Sequence, residues 1–316
     1  MAALTRRRWL AVAVAAALPA AGFAQAPRAV EPQQLSPSAW FVQGEAALGS
    51  PGNRNFISNA GFVVTPAGVV VVDALGSPAL ARELIEQIRR ITPQPVTHVV
   101  LTHYHADHIY GLQEFKRIGA KIIAHRLGRE YLFSDTAAGR LAASRKELAP
   151  WIDERTQLVE ADQWIDAPME LAVGGVKMQV QPVGPSHTAE DLALYLPAER
   201  VLFAGDLVFR GRIPYVGQAD SRQWIRSLNV LLAMDPAVVV PGHGPASTEA
   251  RKDLELTRDY LAYLRETMGK AAADMEPFDD AYARTDWSRY EGLPLFRAAN
   301  RMNAYNTYLL MEQQGR

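Results

Sequence analysis

A cluster of metal-binding residue types follows directly after the apolar segment 96–101. Within six positions the chain carries three histidines and one aspartate: His103, His105, Asp107 and His108. Three further residues of these types follow at increasing distance, each at the end of its own apolar segment: His187, Asp206 and His243. Neutral imidazole is the commonest metal ligand, and zinc sites that keep an open position combine histidine nitrogen with carboxylate oxygen. The pattern predicts a catalytic metal site.

The spacing inside the cluster favours two cations. His103 and His105 are two positions apart, so their side chains leave the same side of an extended segment and can reach one cation. Asp107 and His108 come where the chain turns into a predicted helix, residues 109–116, and their side chains diverge from the first pair. Paired metals about 3.5–4 Å apart are a recognised arrangement for hydrolysis.

The later residues lie in settings that suit metal ligands. His187 stands in a Gly/Pro loop, residues 183–191, and His243 stands between two glycines that allow close backbone approach. Asp206 follows an apolar run, where burying a carboxylate is costly without a partner. A cation would supply that partner.

This set of seven residues resembles the metallo-β-lactamase superfamily, over roughly residues 39–245. An aspartate at position 206 makes the pattern more similar to glyoxalase II-type hydrolases than to dedicated lactamases. It is similar too to periplasmic zinc metallohydrolases encoded with sulfur-oxidation or quinoprotein systems (the SoxH-like group).

The resemblance implies a ligand set and a cofactor. One cation would be held by His103, His105 and His187, the other by Asp107, His108 and His243, with Asp206 as the bridge. The expected cofactor is two Zn²⁺ per chain, with iron as an alternative. The pair would activate a hydroxide, with Asp107 relaying the proton as a catalytic residue. Asp73, after the 68–72 strand, matches a family position that orients ligands by hydrogen bonding.

The expected activity is hydrolysis of a small thioester, ester or amide, with β-lactam turnover as a possible side activity. Phe209 stands where lactamases with a cysteine ligand carry a lysine that pairs the drug carboxylate. Arg210 and Arg212, just beyond, could bind an anionic substrate, although exposed arginines are more often only solvated.

Two other classes of function remain open. One is an oxidoreductase like the persulfide dioxygenases, which use related ligands on one iron with O₂. The other is a metal-dependent binding protein of a sulfur or quinoprotein pathway, with little catalysis. Metal content and oxygen uptake would separate them.

The chain has 316 residues, and its N-terminal segment indicates an exported protein. Residues 1–26 have the basic start, apolar stretch and small-residue cleavage site of a signal peptide, with a twin-arginine-like motif around Arg6 and Arg7. The apolar stretch is too short to span a membrane, which needs about 20 residues. We therefore expect a periplasmic protein with no membrane span after cleavage.

The net charge and the absence of cysteine limit which partners and which metal ligands the protein can have. Removing residues 1–26 takes away three arginines and no acid, which moves the formal net charge from −1 to −4. That balance argues against a nucleic-acid partner. The chain has no cysteine, so disulfides and thiolate ligands are excluded and every metal ligand must offer nitrogen or oxygen.

The order of segments predicts an α/β fold, an αββα sandwich with two mixed β-sheets and helices outside. Strands are expected at 39–43, 59–65, 68–73, 96–101 and 121–125, and in the second half at 169–173, 176–183, 192–196, 200–205 and 237–241. Residues 126–164 should be polar and helical with loops. We expect one hydrolase domain, residues 27–316, including a helical extension from about residue 247. His98 and His125 are expected to be structural.

Overall fold

The first β-sheet has seven strands whose order across the sheet follows their order in the chain. They are β1 (Gln33–Gln34), β2 (Ala39–Val42), β3 (Ala60–Thr65), β4 (Gly68–Val72), β5 (Val96–Val100), β6 (Lys121–His125) and β7 (Gln163–Ile165). β1 to β4 are antiparallel neighbours, and β4 to β7 run parallel. The computed structural model describes residues 28–217 and 219–314, so the predicted signal peptide lies outside the described residues.

Helices make the crossovers that parallel strands require. α1 (Pro78–Ile91) connects β4 to β5, and its first turn is capped by the Ser77 hydroxyl, which accepts a hydrogen bond from the Leu80 amide. Two short helices, α2 (Ala106–Ile109) and α3 (Leu112–Arg117), lead to β6. α4 (Gly128–Leu132) and α5 (Asp135–Glu147) lead to β7.

The second sheet has five strands in the order β12-β11-β10-β9-β8. They are β8 (Met169–Val173), β9 (Val176–Pro182), β10 (Leu192–Leu196), β11 (Val201–Phe209) and β12 (Val238–His243). Neighbours are antiparallel except β11 and β12, which run parallel and are connected by α6 (Ser221–Ala233). β8 and β9 form a hairpin whose turn places Gly174 and Gly175 at positive φ, where glycine is favoured.

The two sheets pack against each other through a shared apolar layer. Every residue of β4 and of β10 is buried, as expected for strands covered on both faces. Phe62 and Val71 face the helices of the first half, whereas Val70 packs with Phe203 and Leu194 of the second sheet. These contacts confirm the predicted sandwich of two mixed sheets with helices outside.

Three helices follow the second sheet. They are α7 (Ala250–Ala273), α8 (Phe278–Arg284) and α9 (Phe296–Gln314). α7 packs against α6 and β11, and α9 lies along α7. Among the described residues, no helix is both long and apolar enough to cross a membrane.

Several elements differ from the sequence-based expectations. The region before β7 was expected to hold only helices and loops, yet it ends in this strand. A strand of three residues is too short to show an alternation of polar and apolar residues in the sequence. The helix expected at 109–116 is divided into α2 and α3. β11 continues to Phe209, so Asp206 lies inside the strand rather than at its end.

Candidate metal centre

The fold brings the seven predicted ligand residues to one end of the sandwich. Their ligand atoms form two groups, each with all its atoms within 4.8 Å of one another. The first group contains His103, His105, His187 and Asp206, and the second contains Asp107, His108 and His243. These are the two sets expected from the sequence, with Asp206 in the first group.

The first group comes from three separate loops and strands. His103 and His105 follow β5, His187 lies in the loop between β9 and β10, and Asp206 is in β11. His187 Nε2 lies 3.0 Å from His105 Nδ1 and 3.4 Å from Asp206 Oδ2. His103 Nε2 lies 3.8 Å from Asp206 Oδ2. Three imidazole nitrogens therefore converge on one carboxylate.

The second group shares the same carboxylate. His108 Nε2 lies 3.2 Å from Asp206 Oδ1, and His243 Nε2 lies 3.3 Å from Asp206 Oδ2. Asp107 Oδ2 is 3.4 Å from His243 Nε2 and 3.7 Å from His108 Nε2. Asp206 thus stands between the two groups, in the bridging position.

Buried polar atoms without partners support a metal at this place. Among the described residues, three atoms that face the cluster are buried and have no hydrogen-bond partner: His103 Nε2, His108 Nε2 and Asp206 Oδ1. Leaving such atoms unpaired in the interior is costly. Cations bound by these nitrogen and oxygen donors would satisfy them, and the donor set is one that zinc accepts. The residues therefore fit a pair of metal ions.

Burial keeps most of the histidines in the neutral form that binds metal. It lowers the pKa of His103 well below the usual value, lowers that of His105, and lowers the pKa of His187 to about 3. Burial alone would also lower the pKa of His108, but the carboxylates around that ring, Asp206 first, hold it well above the usual value. In Asp206, burial is outweighed by His243 and His108, which hold its pKa well below the usual range.

Asp73 lies next to the ligand cluster and contacts residues that belong to, or support, both ligand groups. Its carboxylate accepts hydrogen bonds from the backbone N–H and hydroxyl of Thr102, at 2.8 and 2.9 Å. It also lies 2.8 Å from Nδ1 of His108. The Thr102 hydroxyl is in turn 3.0 Å from Nδ1 of His103. The orienting role that the resemblance implied for Asp73 has the contacts it requires.

The ring of His243 is fixed on two sides. Its Nδ1 donates to the backbone oxygen of Ile57 at 2.7 Å, which leaves Nε2 for the cluster. Phe209 stacks on the ring with centroids 5.1 Å apart and an interplanar angle of 8°. Asn59 holds the turn around this histidine by donating to the backbone oxygens of Pro241 and Gly244, at 2.7 and 2.8 Å.

Two glycines make room for Asp206 inside its strand. Gly205 has φ +54°, and the pairing of β11 with β12 is irregular on both sides of it. A Cβ at Gly205 would lie 2.7 Å from Cβ of Thr102, and one at Gly242 would overlap Oδ1 of Asp206. The bulge turns Asp206 toward the histidines, which the apolar sequence pattern alone does not reveal.

The two predicted substrate-binding arginines have different surroundings. Arg210 pairs with Asp253 of α7, at 3.1 Å, so its charge is already neutralised. Arg212 is buried beside the centre, where its guanidinium lies 5.6 Å from the Phe209 ring and 3.4 Å from Nδ1 of His243. Burial lowers the pKa of Arg212, and Asp206 and Asp107 oppose that shift.

Sequence reasoning missed Tyr215, which borders the centre. Its ring lies 6.4 Å from the ring of His105 and 6.2 Å from that of His187, and the residue is 42% exposed. Trp224 of α6 packs behind His187 at 5.3 Å. The sequence around Tyr215 has no repeating pattern that would single this residue out. Only its ring contacts in the structure place it at the site.

The two histidines expected to be structural lie outside both ligand groups. His98 Nδ1 is 3.0 Å from the hydroxyl of Thr97, and His125 Nδ1 accepts a hydrogen bond from the Leu127 amide at 3.2 Å. Burial lowers the pKa of both.

Residues 53–243 match the family described as the metallo-beta-lactamase superfamily. The chain is 30% identical over 227 residues to the 2,4-dinitroanisole O-demethylase subunit alpha of Nocardioides sp., covering 69% of this chain and 64% of the relative. It is 28% identical over 244 residues to a linear primary-alkylsulfatase of Pseudomonas sp., covering 65% and 45%. The chain thus spans less than two thirds of the length of these two relatives.

Lactamases are matched over a larger share of their own length. Identity to a Bacillus cereus metallo-beta-lactamase type 2 is 28% over 216 residues, or 67% of this chain and 75% of the relative. Among solved structures, a metallo-beta-lactamase from Pontibacter korlensis superposes with a TM-score of 0.58 at 25% identity, covering 73% and 98%.

A sec-alkylsulfatase from Pseudomonas sp. shares the fold more extensively, with a TM-score of 0.70 at 18% identity, covering 89% of this chain and 50% of that one. Taken with the matched residues 53–243 and the ligand cluster inside them, these similarities show that the chain belongs to the metallo-β-lactamase superfamily.

Proposed function

We propose that this protein is a dinuclear zinc hydrolase that cleaves a thioester, ester or amide bond in a small substrate. The observation that carries the proposal is the position of Asp206, whose two oxygens lie 3.2 and 3.3 Å from ligand nitrogens of the second group while Oδ2 also faces the first. A carboxylate shared between two ligand groups can hold two metals close together, as two-metal hydrolytic sites need.

Zinc bound here would supply Lewis acidity and water with a pKa near 7. The chain's own contribution is to hold the donors in place and to manage protons. Burial raises the pKa of Asp107, but His108 and His243 outweigh that effect and keep it below the usual value. Asp107 is half-buried and lies at the edge of the cluster, so its carboxylate is placed to accept a proton from attacking water.

The surroundings favour a substrate with a negative charge. Arg212, which forms no ion pair with any described residue, brings a cation next to the second ligand group, and Tyr215 offers a partly exposed aromatic face beside the first. β-Lactams, which carry a carboxylate, therefore belong among the compounds to test.

Sulfate monoesters are the second candidate substrates. A linear primary-alkylsulfatase is among the relatives, at 28% identity, and a guanidinium can bind a sulfate oxygen as well as a carboxylate. The two candidates differ in the bond cleaved, which a substrate panel resolves.

The test is metal analysis combined with turnover. The chain lacking residues 1–26 is purified, stripped with a chelator, reloaded with zinc and assayed on a thioester, a 4-nitrophenyl ester, a β-lactam and a primary alkyl sulfate. Two zinc per chain with zinc-dependent hydrolysis of the thioester, the 4-nitrophenyl ester or the β-lactam supports the proposal, whereas hydrolysis of the alkyl sulfate alone supports the second candidate. One iron per chain with oxygen uptake would instead indicate the dioxygenase-like alternative, and metal binding without any turnover would favour a binding protein.

We also propose export to the periplasm by the twin-arginine route, based on residues 1–26. Fractionation of cells expressing the full chain should recover a periplasmic product whose N-terminus follows Ala26. Replacing Arg6 and Arg7 by lysine should retain the protein in the cytoplasm; unchanged export of that variant would contradict the route.

A further inference from the structure

A short loop after β11 carries two side chains to the metal centre. The 211–217 loop contains Arg212, beside His243, and Tyr215, beside His105 and His187. The main chain of this loop has no regular secondary structure. Its conformation must therefore be fixed by contacts with other parts of the protein.

Arg212 lacks a carboxylate partner in the part of the chain that the structure describes. The residue is 7% exposed, and among the described residues no carboxylate oxygen lies within 4.0 Å of its guanidinium. Nδ1 of His243 cannot accept from it, because that nitrogen donates to Ile57. Nε is 3.4 Å from the oxygen of Ile213, a long contact. A buried cation with free donors is a site for an anion.

Helix α9 holds the loop from behind through Asn303. The side-chain amide of this residue donates to the oxygen of Pro214 at 2.7 Å, and its oxygen accepts from the N–H of Val216 at 3.0 Å. Pro214 and Val216 flank Tyr215, so the two bonds span the exposed tip of the loop. Asn306, one turn further on, donates to the oxygen of Gly217 at 2.6 Å.

Asn303 is itself held rigidly. It is fully buried, and its second amide hydrogen goes to the hydroxyl of Tyr260 in α7, at 3.0 Å. That hydroxyl donates to Asn300 at 2.9 Å. Both donors and the acceptor of the Asn303 side chain are thus used, two of the three on the loop. No other residue type of this size offers the same combination.

We propose that Asn303 is a positioning residue that, through the 211–217 loop, fixes Arg212 as the binding site for an anionic group of the substrate, a carboxylate or a sulfate. This inference rests on the proposed hydrolase function for its kinetic test, but the anchoring of the loop can be tested separately. It gives the helices after β12 a role in substrate binding, although they contribute none of the seven ligands.

Two substrates with one leaving group separate anion binding from bond cleavage. The zinc-loaded enzyme is assayed on 4-nitrophenyl acetate, which is neutral, and on the mono-4-nitrophenyl ester of adipate, which carries a carboxylate too far from the ester to attack it readily. Inhibition of the neutral reaction by inorganic sulfate shows whether the site also accepts sulfate. For Asn303→Leu we expect KM for the anionic ester to rise about tenfold, as for a weakened charged hydrogen bond. The kcat/KM for the acetate should stay within about twofold.

Asn300→Leu is the matched control, since Asn300 is equally buried on α9 and shares Tyr260, but its hydrogen bonds go to Tyr260 and Tyr282 rather than to the loop. This variant should be less stable than the wild type, but the ratio of kcat/KM for the two esters should not change. Asn306→Ala, a half-buried position, removes one loop contact at less risk to folding and should raise KM for the anionic ester in the same direction.

Hydrogen exchange in the metal-free protein gives a readout independent of activity. The amide of Val216 should exchange at least tenfold faster in Asn303→Leu than in Asn300→Leu, because it loses its acceptor. Equal exchange in the two variants, or equal losses on both esters, would overturn the proposal. If the wild type cleaves neither ester, the proposed hydrolysis of esters fails, and the exchange experiment still decides whether Asn303 anchors the loop.

Discussion

The Asp73 carboxylate lies 2.8 Å from Nδ1 of His108 and so turns Nε2 of that ring toward Asp206. Because the same carboxylate also holds Thr102, it connects a ligand of the second group to the segment that begins the first.

Replacing this carboxylate should weaken the second metal site. Asn tolerates the positive φ of 63° at position 73, so Asp73→Asn keeps the backbone but loses one acceptor. We expect zinc affinity at the second site to fall about 10–100-fold, with a smaller change at the first. Competition with a chromophoric chelator measures both constants. Two unchanged constants would show that Asp73 does not orient His108.

Removing the bridge should have a larger effect. Asp206→Ala takes away the only carboxylate within 4.0 Å of both ligand groups in the described residues. We expect most of the second zinc and most of the hydrolytic rate to be lost. Metal content after gel filtration and the rate on an active ester test this, with circular dichroism as the control for folding. A variant with full metal and full rate would refute the bridging role.

The metal-free protein should lose stability in acid because of its buried imidazoles. The unfolded chain takes up protons near pH 6.5, whereas burial holds the pKa of His187 at about 3 in the folded state. Between about pH 5.5 and 4 the unfolded state therefore binds one more proton at this residue. The free energy of unfolding falls with decreasing pH by about 1.4 kcal/mol per pH unit for each such group.

Replacing the imidazole tests this contribution. In His187→Asn, urea unfolding with chelator present should show a pH slope smaller by about one proton over that range. Because the pKa of His108 is raised, this residue changes the free energy of unfolding only above about pH 6.5, where stability falls as pH rises. It therefore does not affect the slope between pH 5.5 and 4. An unchanged slope would contradict the lowered pKa of His187.

The glycine next to His243 should not tolerate a side chain. In Gly242→Ala the new methyl group would overlap Oδ1 of Asp206, so we expect lower stability and weaker zinc binding. Gly139→Ala is the control: it lies inside α5 with open space around it, and alanine should stabilise the helix by about 1 kcal/mol. Thermal unfolding with and without zinc distinguishes the two. Equal effects would mean that Gly242 is not needed for Asp206.

The clustering of the candidate ligand residues could be predicted from sequence because residue type and short spacing carry most of the information. His103, His105, Asp107 and His108 are close along the chain, whereas His187 lies in a loop between strands, Asp206 inside β11 and His243 at the end of β12, which the sandwich brings together. The main strands were readable for a similar reason, since β4 and β10 are continuous apolar runs.

The surroundings of the site depend on contacts between distant segments and could not be predicted in this way. The sequence gives no reason to expect different roles for Arg210 and Arg212. In the structure they differ because Arg210 pairs with Asp253 of α7. The roles of Tyr215 and Asn303 likewise arise from the packing of α9 against a loop almost 90 residues earlier. No local pattern encodes such a contact.

If the proposed function is right, one bridging carboxylate and six further side chains hold two cations. The most direct test is isothermal titration of the metal-free protein with zinc, with the bound metal then counted by mass spectrometry. The wild type should bind two equivalents per chain, and His243→Ala, which lacks a ligand of the second group only, should bind one. A wild-type protein that binds a single zinc, or a His243→Ala variant that still binds two, would contradict it.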